Sequence, residues 1–395
     1  MSNPPGVLFV LPWSLSAAGG VNQVVINLAR EALRRGQVRP IIFCADPSRE
    51  SFSVGESEGV TVVSGRLMAT ERAGNNPASW MRNLGPEIRT WRAFIRDRNI
   101  QVVNLHCPGL NCLIFALLHK FTPVKTRLLY SLHGTEVSDM VQSGVAKRAM
   151  GRWMLKQGDR VVCCSEDLAR RAQAAFKLDE QSICTIHNGI DIAELENSKR
   201  DSFRPKTGDY DSYLLNVGTF EHHKGQDLLL KAYTSLLRAG LKSALVLIGR
   251  STPYLQTLRS LARQLGLQDH VFFIPDLEHT HTLSAIRHAR LLVQPSREEP
   301  FGITLLEAGY LGTPIVATRT GGIPEAVGGY YPYLTEPDSV EALAAKIDEA
   351  LFNPTETKHQ IKLMKRRVST TFTWGTAYSA YESLWSQDAG WSHPA

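Results

Sequence analysis

The run Leu291-Leu292-Val293-Gln294-Pro295-Ser296-Arg297-Glu298-Glu299-Pro300-Phe301-Gly302-Ile303-Thr304-Leu305-Leu306-Glu307-Ala308 decides how this chain is read. Leu291 to Gln294 is a short apolar stretch of strand type, Pro295 to Phe301 is a loop, and a helical pattern opens at Ile303. The N–H groups of Gly302, Ile303 and Thr304 precede the first intrahelical hydrogen bonds and can face an anion, with the helix dipole behind them. A diphosphate suits that position. Glu307 lies one turn into the helix on the face of Ile303, whereas Glu299 stays in the loop, so two carboxylates reach one ligand from different directions. Carboxylates hold sugar hydroxyls by accepting their hydrogen bonds. The same spacing also suits an ordinary strand-to-helix turn with a solvent-facing glutamate pair.

The strand-loop-helix unit repeats on both sides of this run. Upstream, strands are expected at Val7–Leu11, Pro40–Cys44, Val60–Ser64, Val102–Leu105, Leu128–Leu132, Arg160–Cys164 and Ile183–His187, and a helix from Val21. Residues 197–212 crowd Asn, Ser, Lys, Arg, Asp, Pro and Gly without periodicity and read as a linker and hinge. Beyond it the pattern restarts with strands at Tyr213–Val217, Ala244–Ile248, Val271–Ile274, Leu291–Gln294 and Ile315–Ala317, separated by helices. Near-continuous apolar strands alternating with helices signal parallel sheets covered on both faces. The expected fold is α/β: two doubly wound, Rossmann-like domains, 1–196 and 197–371, facing a central cleft at their strand C-termini. A last helix, about 372–390, is expected to pack back on the first domain. The closing Trp391-Ser392-His393-Pro394-Ala395 resembles the start of an affinity tag and is set aside.

Composition agrees with this and excludes other classes. The chain has 395 residues, 43% hydrophobic and 21% charged, an ordinary globular balance at a length suited to two domains. No apolar stretch approaches the ~20 residues of a spanning helix, and no basic n-region precedes the N-terminal apolar run, so a cytoplasmic protein is expected. Six cysteines show no CxxC pair and read as buried, reduced residues. Of the +6 net charge, residues 1–197 hold most, with 23 basic against 18 acidic residues. Within that half, Arg148, Arg152 and Lys156 fall at i, i+4 and i+8, opposite Met150, Trp153 and Met154. Either this is a solvated helix face, or it meets an anionic, lipid-linked acceptor at a membrane surface.

Four more loops sit at strand ends. Val217-Gly218-Thr219-Phe220-Glu221-His222-His223-Lys224-Gly225 places Lys224 as a compact cation at a phosphate-binding position, with His223 beside it. Gly321-Gly322 and Gly19-Gly20 expose backbone, as binding loops or plain turns. His133 follows the strand ending at Leu132 and is either a structural or a catalytic histidine.

Taken together, Glu-Pro-Phe-Gly-x4-Glu-Ala, Gly-x5-Lys-Gly, Gly-Gly-Ile-Pro-Glu at 321–325, His-Asn-Gly-Ile-Asp at 187–191 and the N-terminal Gly-Gly resemble the retaining glycosyltransferases of family 4, the glycosyl transferases group 1, with GT-B architecture. The resemblance implies transfer of a sugar from a UDP- or GDP-linked donor to a glycan, lipid-linked or small-molecule acceptor, without a metal or other cofactor. It implies that Glu307 holds the ribose hydroxyls, Glu299 the donor sugar, Lys224 the diphosphate, Gly20 the phosphate end nearest the first domain, and His133 the transferring sugar. Two departures stand out. Thr219 occupies a position where many members carry Arg, so a second diphosphate cation is either missing or replaced by His223, and Phe273-Ile274-Pro275 replaces a usual Phe-x-Gly.

Rival readings are weaker. No GxGxxG follows a strand, which argues against a nicotinamide-dependent dehydrogenase. Asp209-Tyr210-Asp211 matches a metal-binding Asp-x-Asp in letters but precedes its strand. No basic, aromatic-interleaved face suits nucleic acid. A nucleotide-sugar 2-epimerase and a non-catalytic nucleotide-sugar binder remain the alternatives.

Overall fold

The computed structural model describes residues 4–15, 19–67, 77–198 and 200–386; Trp391 to Ala395 and the far end of the expected last helix lie outside them. The chain divides into two compact units, one running to His187 and resuming at Trp374, the other spanning Asn188–Thr373.

The first unit is built on β1 (Gly6–Leu11), β2 (Arg39–Ala45), β3 (Ser53–Ser57), β4 (Val60–Gly65), β5 (Ile100–His106), β6 (Arg127–Leu132), β7 (Arg160–Cys163) and β8 (Ile183–Thr185), in the order β3-β4-β2-β1-β5-β6-β7-β8. Every pairing is parallel except β3 with β4. All six residues of β1 are buried, the condition of a central strand covered on both faces. β1 has β2 on one side and β5 on the other, so the strand order reverses at the β1/β5 crevice. The helix Trp374–Ser386 completes this unit. Its Trp385 is fully buried with its ring 5.9 Å from Phe9, Tyr381 Oη meets Ser131 Oγ at 3.0 Å, and Arg35 donates to Gly375 O at 2.9 Å and Glu382 at 3.1 Å.

The second unit carries β9 (Tyr213–Val217), β10 (Ala244–Gly249), β11 (Val271–Pro275), β12 (Leu291–Gln294), β13 (Ile315–Thr318) and β14 (Leu334–Thr335), all parallel, in the order β11-β10-β9-β12-β13-β14. The order reverses between β9 and β12, so the loops that leave these two strands flank the crevice where doubly wound sheets take their ligands.

The compact units divide at 187–188 and 373–374, close to the expected 196/197 and 371/372. Several sequence expectations need correction. Within the polar segment at 197–212, Asp201 and Phe203 lie along the helix His279–His288, their carbonyls accepting from Ser284 Oγ at 3.1 and 3.0 Å, and Arg287 Nη2 also reaches Asp201 O at 2.9 Å. Exposed β3 and the polar helix Pro354–Thr371 lack the apolar period that would have marked them. The strand expected to reach His187 stops at Thr185. In the helix Val145–Leu155 the buried face is Gly151, Met154 and Leu155, while Met150 is exposed.

All six cysteines are free, five of them buried. Among the described residues no helix is long and apolar enough to cross a membrane.

Candidate active site

In the second unit, two loops meet at the β9/β12 crevice. The loop after β9 makes one turn of 3-10 helix, His222–Lys224, and closes at Gly225 with φ 70°. A side chain there would overlap the carbonyl oxygen of Pro295, so only glycine lets the two loops pack this closely. Arg297 locks the contact from the other side: its N–H donates to His223 O at 2.8 Å, and its guanidinium grips both oxygens of Asp227 at 2.7 and 2.9 Å and Asp338 at 2.6 Å.

This brings Lys224 and Glu299 together. Lys224 Nζ donates to Glu299 Oε2 at 2.9 Å, and the same oxygen accepts from Gln294 Nε2 and Ser296 Oγ, each at 3.3 Å. Glu299 is 8% exposed, so its charge is held by this cluster rather than by water. Gly302, at φ 96°, starts the helix Ile303–Leu311, whose first capping bond runs from Leu305 N–H to Gly302 O at 3.0 Å. The N–H groups of Gly302, Ile303 and Thr304 therefore stand ahead of the helix's own ladder. Lys224, Glu299 and this helix N-terminus form one site on one unit.

Glu307 is buried on the same helix, 3.5 Å from His279 Nε2, which also stands 3.7 Å from Glu194. Burial raises its pKa, with His279 opposing and Glu194 adding to the rise. A buried carboxylate facing one imidazole keeps acceptor capacity for a diol.

Other expected residues fall differently. His223 sits beside Lys224 with its Nδ1 3.3 Å from Glu221; burial, and then Lys224, lower its pKa, while Glu221, Glu299 and Glu298 oppose that shift. Thr219 contributes its carbonyl to Gln226 Nε2 at 3.0 Å. Gly322 is buried and its N–H donates to Glu299 O at 2.9 Å, while a side chain on Gly321 would overlap that same oxygen. These two glycines support the Glu299 loop, and the N–H of Gly322 is engaged in doing so. Asp209 and Asp211 are exposed ahead of β9, and among the described residues no group of three or more His, Cys, Asp or Glu could hold a metal ion.

In the first unit, Gly19 and Gly20 are exposed at the start of the helix Gly20–Arg35, with open space at the Cβ position of Gly19. His133 is half-buried after β6; its backbone N–H and that of Gly134 donate to Glu136 Oε1. Its Nε2 lies 3.0 Å from Nδ1 of His106, a fully buried residue at the end of β5. Arg148 and Lys156 are exposed and Arg152 half-buried, but Lys156 caps the helix instead of continuing it. Basic side chains converge elsewhere: Arg89, Arg92, Arg96, Lys125 and Arg127 line a groove of about 1020 Å³ where β5 and β6 begin. Arg89, Arg92 and Arg96 lie on the helix Pro77–Asp97, and Arg96, in its last turn, complements the helix dipole.

Gln294, Ser296, Arg297, Glu136, His279 and His106 were not singled out from sequence. His106 was findable by the logic applied to His133, since both end a parallel strand. The others act through hydrogen bonds that no spacing rule shows.

The family described as Glycosyl transferases group 1 matches residues 197–367, and that described as Glycosyltransferase Family 4 matches residues 18–194. A glycogen synthase from Mycobacterium tuberculosis is 28% identical over 356 residues, covering 85% of this chain and 82% of its own length. D-inositol 3-phosphate glycosyltransferase 1 of Catenulispora acidiphila is 32% identical over 184 residues, 44% of each chain. Among solved structures, sucrose-phosphate synthase from Thermosynechococcus elongatus aligns with a TM-score of 0.75 at 20% identity, over 97% of this chain and 98% of that one. Anabaena HepE, solved with UDP and glucose, aligns with a TM-score of 0.73 at 18% identity, over 97% of this chain and all of that one. With one family match on each half and two doubly wound sheets of this topology, the chain belongs to the family 4 glycosyltransferases of the GT-B fold.

Proposed function

We propose that this glycosyltransferase moves a sugar from a nucleoside diphosphate donor to a hydroxyl acceptor, with retention and without a metal ion. The observation that carries the reading is the Lys224–Glu299 pair at the β9/β12 crevice, ahead of a helix N-terminus with free N–H groups. Lys224 and that N-terminus take the charge that grows on the leaving diphosphate. Glu299 orients the sugar and Glu307 holds the ribose. From the first unit, His133 is assigned to the transferring sugar and the Gly19–Gly20 backbone to phosphate. The acceptor oxygen bonds to the anomeric carbon on the face that the diphosphate leaves, and a leaving phosphate oxygen takes the acceptor's proton.

The test is release of nucleoside diphosphate from a panel of UDP- and GDP-linked sugars, with and without glycan acceptors. Acceptor-dependent release with the product's anomeric configuration kept supports the reading. Conversion of the donor to its 2-epimer would favour an epimerase, and donor binding without turnover would leave a binding protein. Activity is expected to survive exhaustive EDTA treatment unchanged, because cation and dipole already face the diphosphate. Loss restored by manganese would contradict metal independence.

Glu307→Gln should raise the donor KM about 10- to 100-fold, the value of one or two hydrogen bonds to a charged group. The sign for stability is opposite. Because the folded-state pKa is raised, the neutral form is favoured, and stability from this group is present below the unfolded pKa and lost as pH rises through the folded one. The Gln variant is therefore expected to melt no lower than wild type at pH 7 while binding donor poorly. A lower Tm with unchanged KM would remove Glu307 from the site.

On the acceptor side, Arg148, Arg152 and Lys156 are proposed to meet an anionic, lipid-linked acceptor. At about 1 kcal/mol per basic residue near anionic lipid, three give reversible attachment. Changing all three to Gln is expected to abolish co-sedimentation with phosphatidylserine vesicles at low salt and to leave donor binding intact. Wild-type protein that ignores such vesicles would point to an acceptor free in solution.

A further inference from the structure

His106 has no place in the mechanism so far, yet its contact with His133 is well defined. The two ring planes are within 18° of each other and the centroids are 5.2 Å apart, against 3.0 Å between His106 Nδ1 and His133 Nε2. The difference is about two ring radii, so the rings meet edge to edge in nearly one plane. That is the geometry of a hydrogen bond along both lone-pair directions, not of a face-to-face stack.

The proton between them has only two homes. If His133 Nε2–H donated, His106 would carry its own proton on Nε2. His106 is fully buried, and its Nε2 has no hydrogen-bond partner, so this leaves an orphaned buried N–H. If His106 Nδ1–H donates, the orphan at Nε2 is only a lone pair. Buried N–H groups without acceptors are the rarer and costlier defect. Burial also keeps both imidazoles below their usual pKa, so neither escapes the choice by taking a second proton at pH 7. The backbone beneath His133 is pinned separately, by Glu136 on the N–H groups of His133 and Gly134, which limits how far its ring can swing.

We propose that His106 is a positioning residue that fixes His133 in the Nδ1–H tautomer. Free histidine prefers the other tautomer, so this is an imposed state. With its Nε2 lone pair engaged, His133 presents Nδ1–H outward. It can donate to a sugar or phosphate oxygen but cannot accept a proton there as a base. The inference refines the role of His133 and so rests on the proposed glycosyl transfer for its catalytic meaning, though the tautomer itself does not.

The experiment is a long-range ¹H–¹⁵N correlation spectrum of ¹⁵N-histidine-labelled full chain at pH 7, with His133 assigned from its loss in His133→Gln. Wild type is expected to show the protonated nitrogen shift at Nδ1 and the unprotonated one at Nε2. In His106→Leu the pattern should invert, and His106→Asn, which places an amide N–H where Nδ1 stood, should restore it. In turnover, His106→Leu should lose kcat about tenfold, the worth of one hydrogen bond, with donor KM within about twofold. His106→Asn should recover most of that loss. Protonation of His133 at Nε2 in wild type overturns the proposal, and this holds even if the Leu variant fails to fold. Equal kcat losses in folded Leu and Asn variants overturn it as well. A wild-type protein that turns over no nucleotide sugar would instead defeat the proposed function, and the wild-type spectrum alone would then decide the tautomer.

Discussion

Lys224→Ala is expected to lower kcat about a hundredfold, the order of loss seen when one preorganised electrostatic contact to a developing anion is removed. The structure adds a second effect. Glu299 is buried, and without Lys224 its carboxylate keeps only Gln294 Nε2 and Ser296 Oγ, both at 3.3 Å. An uncompensated buried charge destabilises the fold. Lys224→Ala should therefore lower the Tm as well as the rate. Adding Glu299→Gln should bring the Tm back without restoring kcat, because it removes the stranded charge and also a sugar contact. Steady-state kinetics and thermal melts of the two single variants and the double variant form the cycle. Full turnover in Lys224→Ala would remove the donor site from this crevice.

Gly225→Ala should be among the most damaging single methyls in the second unit. The residue sits at φ 70°, where a side chain costs about 1–2 kcal/mol by itself, and the added carbon also overlaps Pro295 O. The loops bearing Lys224 and Glu299 must then separate. A loss of about 3 kcal/mol in chemical denaturation is expected, together with near-complete loss of activity. Gly240→Ala is the control: φ is positive there too, but a Cβ meets nothing within 4 Å. If Gly225→Ala costs no more than Gly240→Ala, the two loops are not locked as described.

The sequence carried the sheets well because their strands are buried on both faces and so appear as unbroken apolar runs, as in β1 and β10. The strand and helix that flank the loop of Glu299 were legible for a related reason: a strand end, a loop and a glycine before a helix are local features. What the sequence could not carry was anything set by long-range packing. The segment 197–212 has the composition of a linker, yet it lies along the helix His279–His288 through backbone carbonyls that are the same in any residue. Likewise, His223 looks like a cation in a polar loop, but folding buries it beside Lys224, and both effects lower its pKa. Gly321 and Gly322 look like a binding loop, and nothing in their spacing shows that a side chain on Gly321 would overlap the carbonyl oxygen of Glu299.

The return of the chain to its first unit sets an order of assembly during synthesis. The residues that emerge first from the ribosome form strands β1 to β8, but the sheet they make lacks the helix Trp374–Ser386, whose Trp385 and Tyr381 fill its interior. All of Asn188–Thr373 is synthesised before that helix appears. The usual N-terminal-first sequence of domain folding is therefore inverted here: the later-made unit is the first that can finish, and the earlier one waits with an uncovered apolar seam. A nascent chain that already holds β8 but ends before Trp374 carries that seam uncovered.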